Sequence, residues 1–215
     1  MENIKNTRTE HDLLGTRELP ADALYGIQTL RGIENFSISK FKLQDYPLFI
    51  HGLAYTKLAA AKANNALGLV SDEQLKSIEA ACKDILDGKY HDQFQVDMIQ
   101  GGAGTSTNMN ANEVIANIAL LHLGKKAGEY EFCSPHDTIN RSQSTNDAYP
   151  TAIHMGLYAS HLKFLPHLEA LIEALQKKGD EFAHIIKMGR TQLEDAVPMT
   201  LGQTFYGFAS ILSNE

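Results

Sequence analysis

The feature that most constrains the fold of this chain is a series of long segments with helical apolar spacing and few turn residues. Apolar side chains recur every three or four residues in each of them, which is the period of an amphipathic helix. A chain built mostly from such segments is mainly α-helical, and the segments after residue 146 are long enough for a helical bundle. The segments span residues 47–67, 72–87, 105–123, 146–165, 167–182 and 199–212.

Several residues mark where these helices begin and end. Ser71 is a candidate N-cap because Gln74 follows three residues later, which is the capping-box pattern. Pro150 falls in the first turn of the helix that begins near Asn146, where proline is tolerated. Pro166 predicts a break or a kink between the fourth and fifth segments.

The last apolar segment reaches the end of the sequence without a stop signal. Leu201, Phe205 and Phe208 give it a strong apolar face, and neither glycine nor proline follows before Glu215. The pattern favours a truncated chain, with a helix that simply ends at the terminus as the alternative. We expect the apolar face to seek a partner. Loops with little strand are predicted between the helices, over residues 1–46, 89–104, 125–145 and 189–198.

Composition indicates a soluble protein of the cytoplasm. The chain has 215 residues, a formal net charge of −7 and a hydrophobic content of 43%. The negative charge argues against nucleic acid as a partner, because affinity for nucleic acid rests on Lys and Arg. No run of about 18 apolar residues occurs and no apolar signal segment opens the chain, so no membrane span or secretion is expected. Cys82 and Cys133 form no CxxC pair, which indicates free thiols.

Three polar clusters precede predicted helices or lie in loops between them. They supply hydroxyls, amides and backbone N–H groups from small residues close to helix N-termini. Helix N-termini present unpaired N–H donors and the positive end of the helix dipole, which suits a carboxylate or a phosphate. The clusters read GGAGTSTNMN at 101–110, SQSTND at 142–147 and GRTQLED at 189–195.

Each cluster taken alone has a simpler interpretation. Ser, Thr, Asn and Asp at helix starts are ordinary N-caps, and a glycine run usually marks a tight turn. The glycine run is not a phosphate loop because no Gly-Lys-Ser/Thr follows it. Arg190 is equally well explained as half of a structural ion pair. His154 and His161 lie seven residues apart without the spacing of a metal site, so no metal is predicted.

The three clusters in this order are far more specific than any one of them. They read GAGTSxNMNxNEV, STND and KMGRTQLxDAVPMTLGQ, after an opening DLLGTRELPADALYGIQTLR. This arrangement resembles the fumarase/aspartase superfamily from about Asp12 to Glu215. It is closer to the ammonia-lyases of that superfamily than to its hydratases, which typically carry Ser-Ser-Asn where this chain has Ser-Thr-Asn. Hydratases also carry a histidine where this chain has Gln192.

The resemblance implies a fold, a domain division and a set of site residues. The fold would be mainly α, with an N-terminal domain over residues 1–145 and the first helices of a long, truncated bundle over 146–215. The implied β-carboxylate ligands are Thr105, Ser144 and Thr145. The remaining implied residues are Asn146 at the substrate amino group, Thr191 and Gln192 near the amino group and α-carboxylate, and Ser106 as a weaker candidate.

The resemblance also implies a reaction that needs no metal or organic cofactor. L-Aspartate would lose ammonia by anti elimination to give fumarate, through a carbanion delocalised into the β-carboxylate. The family's general base is a serine on a Gly-Ser-Ser-x-Met-Pro-like loop, which does not occur in these 215 residues. The resemblance therefore implies a homotetrameric parent enzyme and a chain that is inactive alone. The alternatives are a fumarate hydratase or related fumarate-forming lyase, and a non-catalytic assembly fragment.

Overall fold

The structure is a computed structural model that describes residues 6–100 and 102–214. Gly101, which belongs to the first polar cluster, lies outside the described residues. The strands are β1 (Thr7–Asp12), β2 (Gly15–Pro20), β3 (Ile186–Thr191) and β4 (Glu194–Thr200). The α-helices are α1 (Ile27–Asn35), α2 (Pro47–Ala66), α3 (Asp72–Leu86), α4 (Thr105–His122), α5 (Thr145–Glu181) and α6 (Leu201–Ser213).

The chain divides into two compact units, Met1–Tyr158 and Ala159–Glu215, with the boundary inside α5. Helices α2, α3 and α4 surround the core of the first unit. Ile115 and Ile118 from α4 lie fully buried there with Leu53 from α2 and Ile78 from α3. Burial of four large aliphatic side chains stabilises this packing by roughly 1.5–3 kcal/mol each. The predicted mainly α-helical fold is confirmed.

The start signal at Ser71 acts as predicted, whereas Pro150 lies in the second turn of α5 and not in its first, because α5 begins at Thr145. Ser71 accepts a hydrogen bond from the Gln74 backbone N–H, and the Gln74 side chain accepts one from the Ser71 backbone N–H. This reciprocal pair satisfies two N–H groups that a helix start otherwise leaves unpaired. Helix α2 begins at Pro47, whose fixed φ suits the first helical position.

The prediction of irregular structure over residues 1–46 is wrong for residues 7–12, 15–20 and 27–35. Strands β1 and β2 form an antiparallel hairpin, and α1 follows it. The hairpin escaped prediction because β1 is polar throughout and lacks apolar alternation, so its pairing depends on tertiary contacts. Arg31 of α1 donates two hydrogen bonds to the Asp12 carboxylate, each 2.7 Å, which attaches the hairpin to the helix.

The Glu113 side chain of α4 caps the start of α1. Its buried carboxylate accepts hydrogen bonds from the backbone N–H groups of Gly26, Gln28 and Thr29, at 2.8–3.0 Å, and from the Thr29 hydroxyl at 2.6 Å. Gly26 has no side chain to cap the helix, so a residue about 85 positions later in the chain supplies the cap. Burial raises the pKa of Glu113 to about 7, and the four donors oppose that rise.

Of the break or kink predicted at Pro166, the break is wrong. Helix α5 continues through that residue and spans 37 residues. Proline removes only one backbone hydrogen bond, and the many that remain on either side keep the helix continuous.

The second unit contains a hairpin that was predicted as a loop. Strands β3 and β4 pair antiparallel, with an irregularity between Met188 and Arg190. Polar residues fill this segment, so the local pattern resembles a loop until the two strands pair. Helix α6 follows, and its Phe205 ring packs against Phe182 and Phe208 at centroid distances of 5.5 and 6.4 Å.

Two glycines bring the start of α5 close to α2 within the first unit. A Cβ added at Gly52 would overlap the backbone carbonyl of Ala152, and one at Gly156 would lie 3.0 Å from the Cα of Phe49. Glycine at both positions allows the two helix backbones to approach each other closely. This approach determines where the first turn of α5 lies relative to the rest of the unit.

Cys82 and Cys133 are both buried free thiols. Within residues 6–100 and 102–214, no helix is long and apolar enough to cross a membrane. The same residues contain no group of three or more His, Cys, Asp and Glu side chains placed to hold a metal ion.

Candidate functional site

The first polar cluster forms the start of α4. Gly102 and Gly104 have φ values of 72° and 90°, which glycine adopts without strain. Gly104 is the N-cap residue, and a side chain there would collide with the Tyr149 ring of α5. Gly104 has no side chain to cap the helix, and the Gln100 side-chain oxygen accepts a hydrogen bond of 3.0 Å from the Thr107 backbone N–H at this helix start. Thr105 is the first residue of α4 and is exposed.

The second polar cluster forms the start of α5. The Asn146 backbone N–H donates to the Ser144 hydroxyl oxygen at 3.1 Å, as the simple capping interpretation predicts. Thr145 is half-buried, and its hydroxyl oxygen accepts a hydrogen bond of 3.0 Å from the Asn108 side-chain amide. A hydroxyl can both accept and donate, so the O–H protons of Ser144 and Thr145 remain for an outside acceptor.

The structure brings these two clusters together. Asn108 of α4 bonds Thr145 of α5, and Gly104 lies against Tyr149. Two helix N-termini and several hydroxyls therefore lie side by side at the surface of the first unit. Helix N-termini attract anions, and hydroxyls donate well to carboxylate oxygens. Ser106, the weaker candidate, is half-buried beside Gly32.

A buried lysine lies behind this pair of helix starts. The Lys57 ammonium of α2 donates to the side-chain oxygens of Asn108, Asn140 and Gln143 at 2.7, 3.0 and 3.1 Å. Its side chain is fully buried, and burial lowers the pKa of Lys57 to about 7. The three amide oxygens match the three N–H donors of an ammonium group.

Lys57 and Asn140 lie outside the three polar clusters, so the sequence prediction missed them. A signal was present for Lys57. It occupies a helical position in register with Ile50, Leu53, Ala54 and Ala61, all of which are buried. A lysine on an otherwise apolar helix face is unusual enough to suggest a buried charge. Nothing in the local sequence marks Asn140, whose role depends on tertiary packing.

The third polar cluster belongs to the second unit. Thr191 ends β3, and Gln192 and Leu193 form the two-residue turn of the hairpin, with φ values of 47° and 73°. Two consecutive positive φ values are those of a type I′ turn, which normally favours Asn and Gly. Thr191 and Gln192 are exposed. Arg190 pairs with Asp195 at 3.2 Å, which confirms the ion-pair interpretation of that residue.

The candidate residues of the first unit therefore share a surface, whereas Thr191 and Gln192 belong to the other unit. Their participation in one site stays a prediction. Thr105, Ser144 and Asn146 are exposed, so the first-unit residues form an open surface. An open surface can bind a carboxylate but does not exclude water from the reacting atoms.

Comparison with known proteins identifies relatives of this chain in sequence and in structure. The aspartate ammonia-lyase of Pseudomonas canavaninivorans is 55% identical over 215 residues, which is 100% of this chain and 45% of that protein. A crystal structure of fumarate lyase:delta crystallin from Brucella melitensis bound to cobalt superposes with a TM-score of 0.90 at 53% identity, covering 97% of this chain and 45% of that one.

A recombinant class II fumarase from Schistosoma mansoni is more distant. It superposes with a TM-score of 0.84 at 34% identity and covers 97% of this chain and 44% of that one. The chain thus spans less than half the length of the relatives it matches, as an N-terminal portion would. The family model described as Lyase matches residues 15–215. These matches confirm the resemblance to the fumarase/aspartase superfamily, and the chain belongs to this lyase family.

Proposed function

We propose that this chain supplies the carboxylate-binding part of an aspartate ammonia-lyase, which converts L-aspartate to fumarate and ammonia. The observation that carries the proposal is the hydrogen bond between Asn108 and Thr145, because it joins the starts of α4 and α5 into one donor surface. In this proposal Thr105, Ser144 and Thr145 bind the β-carboxylate. The relatives named aspartate ammonia-lyase, at about 55% identity, support the choice of reaction.

The donors would act on charge that develops during the reaction. A base removes a proton from C3 of the substrate, and the electron pair left behind delocalises into the β-carboxylate. The pair then forms the C2–C3 double bond while the C2–N bond breaks and ammonia leaves. Donors already aimed at the carboxylate oxygens stabilise the intermediate, at roughly 3–4 kcal/mol for each donor.

The other polar residues would hold the rest of the substrate. Asn146 is proposed for the amino group, and Thr191 and Gln192 for the neighbourhood of the amino group and α-carboxylate. Gln192 is neutral and cannot transfer a proton near pH 7, so its role would be orientation alone. The general base is proposed to come from a serine loop that these 215 residues do not contain, in a cytoplasmic homotetramer.

Fumarate hydration is the second candidate, favoured by the superposition on a class II fumarase. The two reactions share the fumarate product and the carboxylate chemistry, so a similar donor surface serves both. They differ in the leaving group, which is ammonia in one and water in the other.

A chimaera distinguishes the two reactions. These 215 residues replace the matching residues of the Pseudomonas canavaninivorans relative, and fumarate release is followed with L-aspartate and with L-malate. We expect turnover of L-aspartate only, with the unmodified relative as control. Turnover of L-malate without L-aspartate would contradict the assignment. The T145V variant should lower kcat about 100-fold if its hydroxyl stabilises the intermediate.

A further inference from the structure

We infer that Lys57 is a positioning residue that sets the direction of the Thr145 hydroxyl through Asn108. The inference rests on the proposed carboxylate site and names a residue behind it that touches no substrate. Lys57 and Asn108 are both buried, and they lie on the side of Thr145 that faces the core.

The first step is the orientation of the Asn108 amide. An ammonium group has only donors, so whichever atom of Asn108 faces Lys57 must be the carbonyl oxygen. The distance from Lys57 Nζ to Asn108 Oδ1 is 2.7 Å, typical of a charge-assisted bond. Rotating the amide by 180° would place an N–H group against the ammonium. Lys57 therefore excludes the flipped orientation.

The second step follows from the first. With its oxygen held by Lys57, Asn108 directs its Nδ2 group to Thr145 Oγ1 and to Asn140 Oδ1, each at 3.0 Å. Thr145 must then act as the acceptor in its bond with Asn108. Its own proton is not used in that bond and remains available to a carboxylate. The opposite amide orientation would turn the Thr145 proton inward.

A third contact holds the loop that leads to Thr145. The Gln143 side-chain oxygen also faces Lys57, so its Nε2 group donates to the backbone carbonyls of Ile139 and Arg141, at 2.7 and 3.2 Å. Lys57 thus orders the loop that precedes Ser144, and it also orients the hydroxyl of Thr145, which follows Ser144. The ammonium form of Lys57, which prevails below its pKa of about 7, supplies both effects because it has three donors and no acceptor.

Asn108→Asp tests the direction of the hydrogen bond. An aspartate has no N–H group, so Thr145 would have to donate to it. The bond from residue 108 to Asn140 Oδ1 is lost as well, and the ion pair with Lys57 offsets that loss. We expect N108D to unfold at a temperature equal to or above that of the unmodified chain, and to bind succinate at least about tenfold more weakly. Binding is read from the Thr145 methyl NMR signal during a succinate titration.

A double-mutant cycle separates this effect from simple charge repulsion. T145V removes the hydroxyl whose direction is in question. If N108D acts through that hydroxyl, it weakens succinate binding in the Thr145 chain and has little effect in the T145V background. An equal loss in both backgrounds would mean that the aspartate charge acts on the ligand directly, and would overturn the inference.

A measurement without succinate tests independently whether Lys57 holds the Asn108 amide in one orientation. The Asn108 side-chain NH₂ signals should show slow exchange with solvent in the unmodified chain and at least about tenfold faster exchange in K57M. K62M is the matched control, since Lys62 lies on the same helix but is exposed and pairs with Glu79. Unchanged Asn108 signals in K57M would overturn the inference. Normal Asn108 behaviour without succinate binding would instead count against the proposed carboxylate site.

Discussion

Lys57 and Glu113 carry ionisable groups where water does not reach, and each is supported in a different way. Glu113 accepts four hydrogen bonds at the start of α1, which suits a carboxylate. Lys57 donates three to neutral amide oxygens, and no carboxylate in the described part of the chain forms an ion pair with it. Burying a cation without a counter-charge costs free energy, and the three hydrogen bonds that Lys57 donates offset part of that cost.

The lowered pKa of Lys57 predicts how stability depends on pH. Between the folded pKa of about 7 and the unfolded value of 10.5, the unfolded chain binds a proton that the folded chain has released. The free energy of unfolding should therefore rise with pH across this window, by up to about 1.4 kcal/mol per pH unit. Urea unfolding of the unmodified chain and of K57M, compared at pH 7 to 10, isolates this slope.

A direct titration provides the control for that prediction. The ¹³C signal of Lys57 Cε follows its protonation without any substitution, so it remains informative even if K57M does not fold. Glu113 acts outside this window, because its raised pKa gives a stability that falls between pH 4.5 and about 7. Identical pH slopes in both chains, with Lys57 titrating near 10.5, would contradict the prediction.

At the scale of elements, the site depends on how closely α5 approaches α2. In the proposed site the donors come from the starts of α4 and α5 together. Glycine at residues 52 and 156 permits the approach that places Thr145 within reach of Asn108. Packing at a helix crossing therefore determines the geometry of a site that lies several residues away.

Gly52→Ala should disrupt this crossing. The added methyl group would overlap the Ala152 carbonyl, so the helices must separate, at a cost of about 2–3 kcal/mol in the free energy of unfolding. Urea unfolding measures the cost, and succinate binding should weaken with it. Gly207→Ala is the control, since its Cβ would meet open space in α6 and should be neutral or stabilise the chain by up to about 1 kcal/mol. Equal stability of G52A and the unmodified chain would show that the crossing tolerates a wider spacing.

At the scale of the whole molecule, much apolar surface is left uncovered. Phe164 is 58% exposed, and Phe208 and Ile211 of α6 are 51% and 61% exposed. Apolar surface of this extent usually marks a place where another chain binds. The predicted apolar face of the last segment is thus exposed in part: Phe208 lies at the surface, whereas Leu201 and Phe205 are half-buried. The exposed part is in keeping with the proposed homotetrameric assembly.

We predict that this chain alone does not release fumarate from L-aspartate. Its donor surface is open to solvent, and the proposed general base lies outside its 215 residues. A continuous fumarate assay on the purified chain tests this, with the chimaera as the positive control and size-exclusion mass to record the oligomeric state. Fumarate release by the chain alone would contradict the prediction and require a base among the residues present.

Local sequence determined helices α2, α3 and α4 and the family, but not α1 or the continuity of α5. The apolar period gave α2, α3 and α4, and the capping box gave the start of α3 at Ser71, because these features act between residues a few positions apart. The motif order gave the lyase family. The site residues Thr105, Ser144 and Thr145 were selected by resemblance, and their position at adjacent helix starts fits that selection.

Tertiary structure alone decided what depends on residues far apart in the chain. The polar segments of the first hairpin became strands only through pairing. Glu113 caps α1, which begins about 85 residues earlier in the chain. Lys57 contacts Asn140 only when α2 packs against the loop that precedes α5. Local patterns carry no record of such partners. The direction of the Thr145 hydrogen bond belongs to this class, because it follows from which atom of Asn108 faces a buried ammonium group.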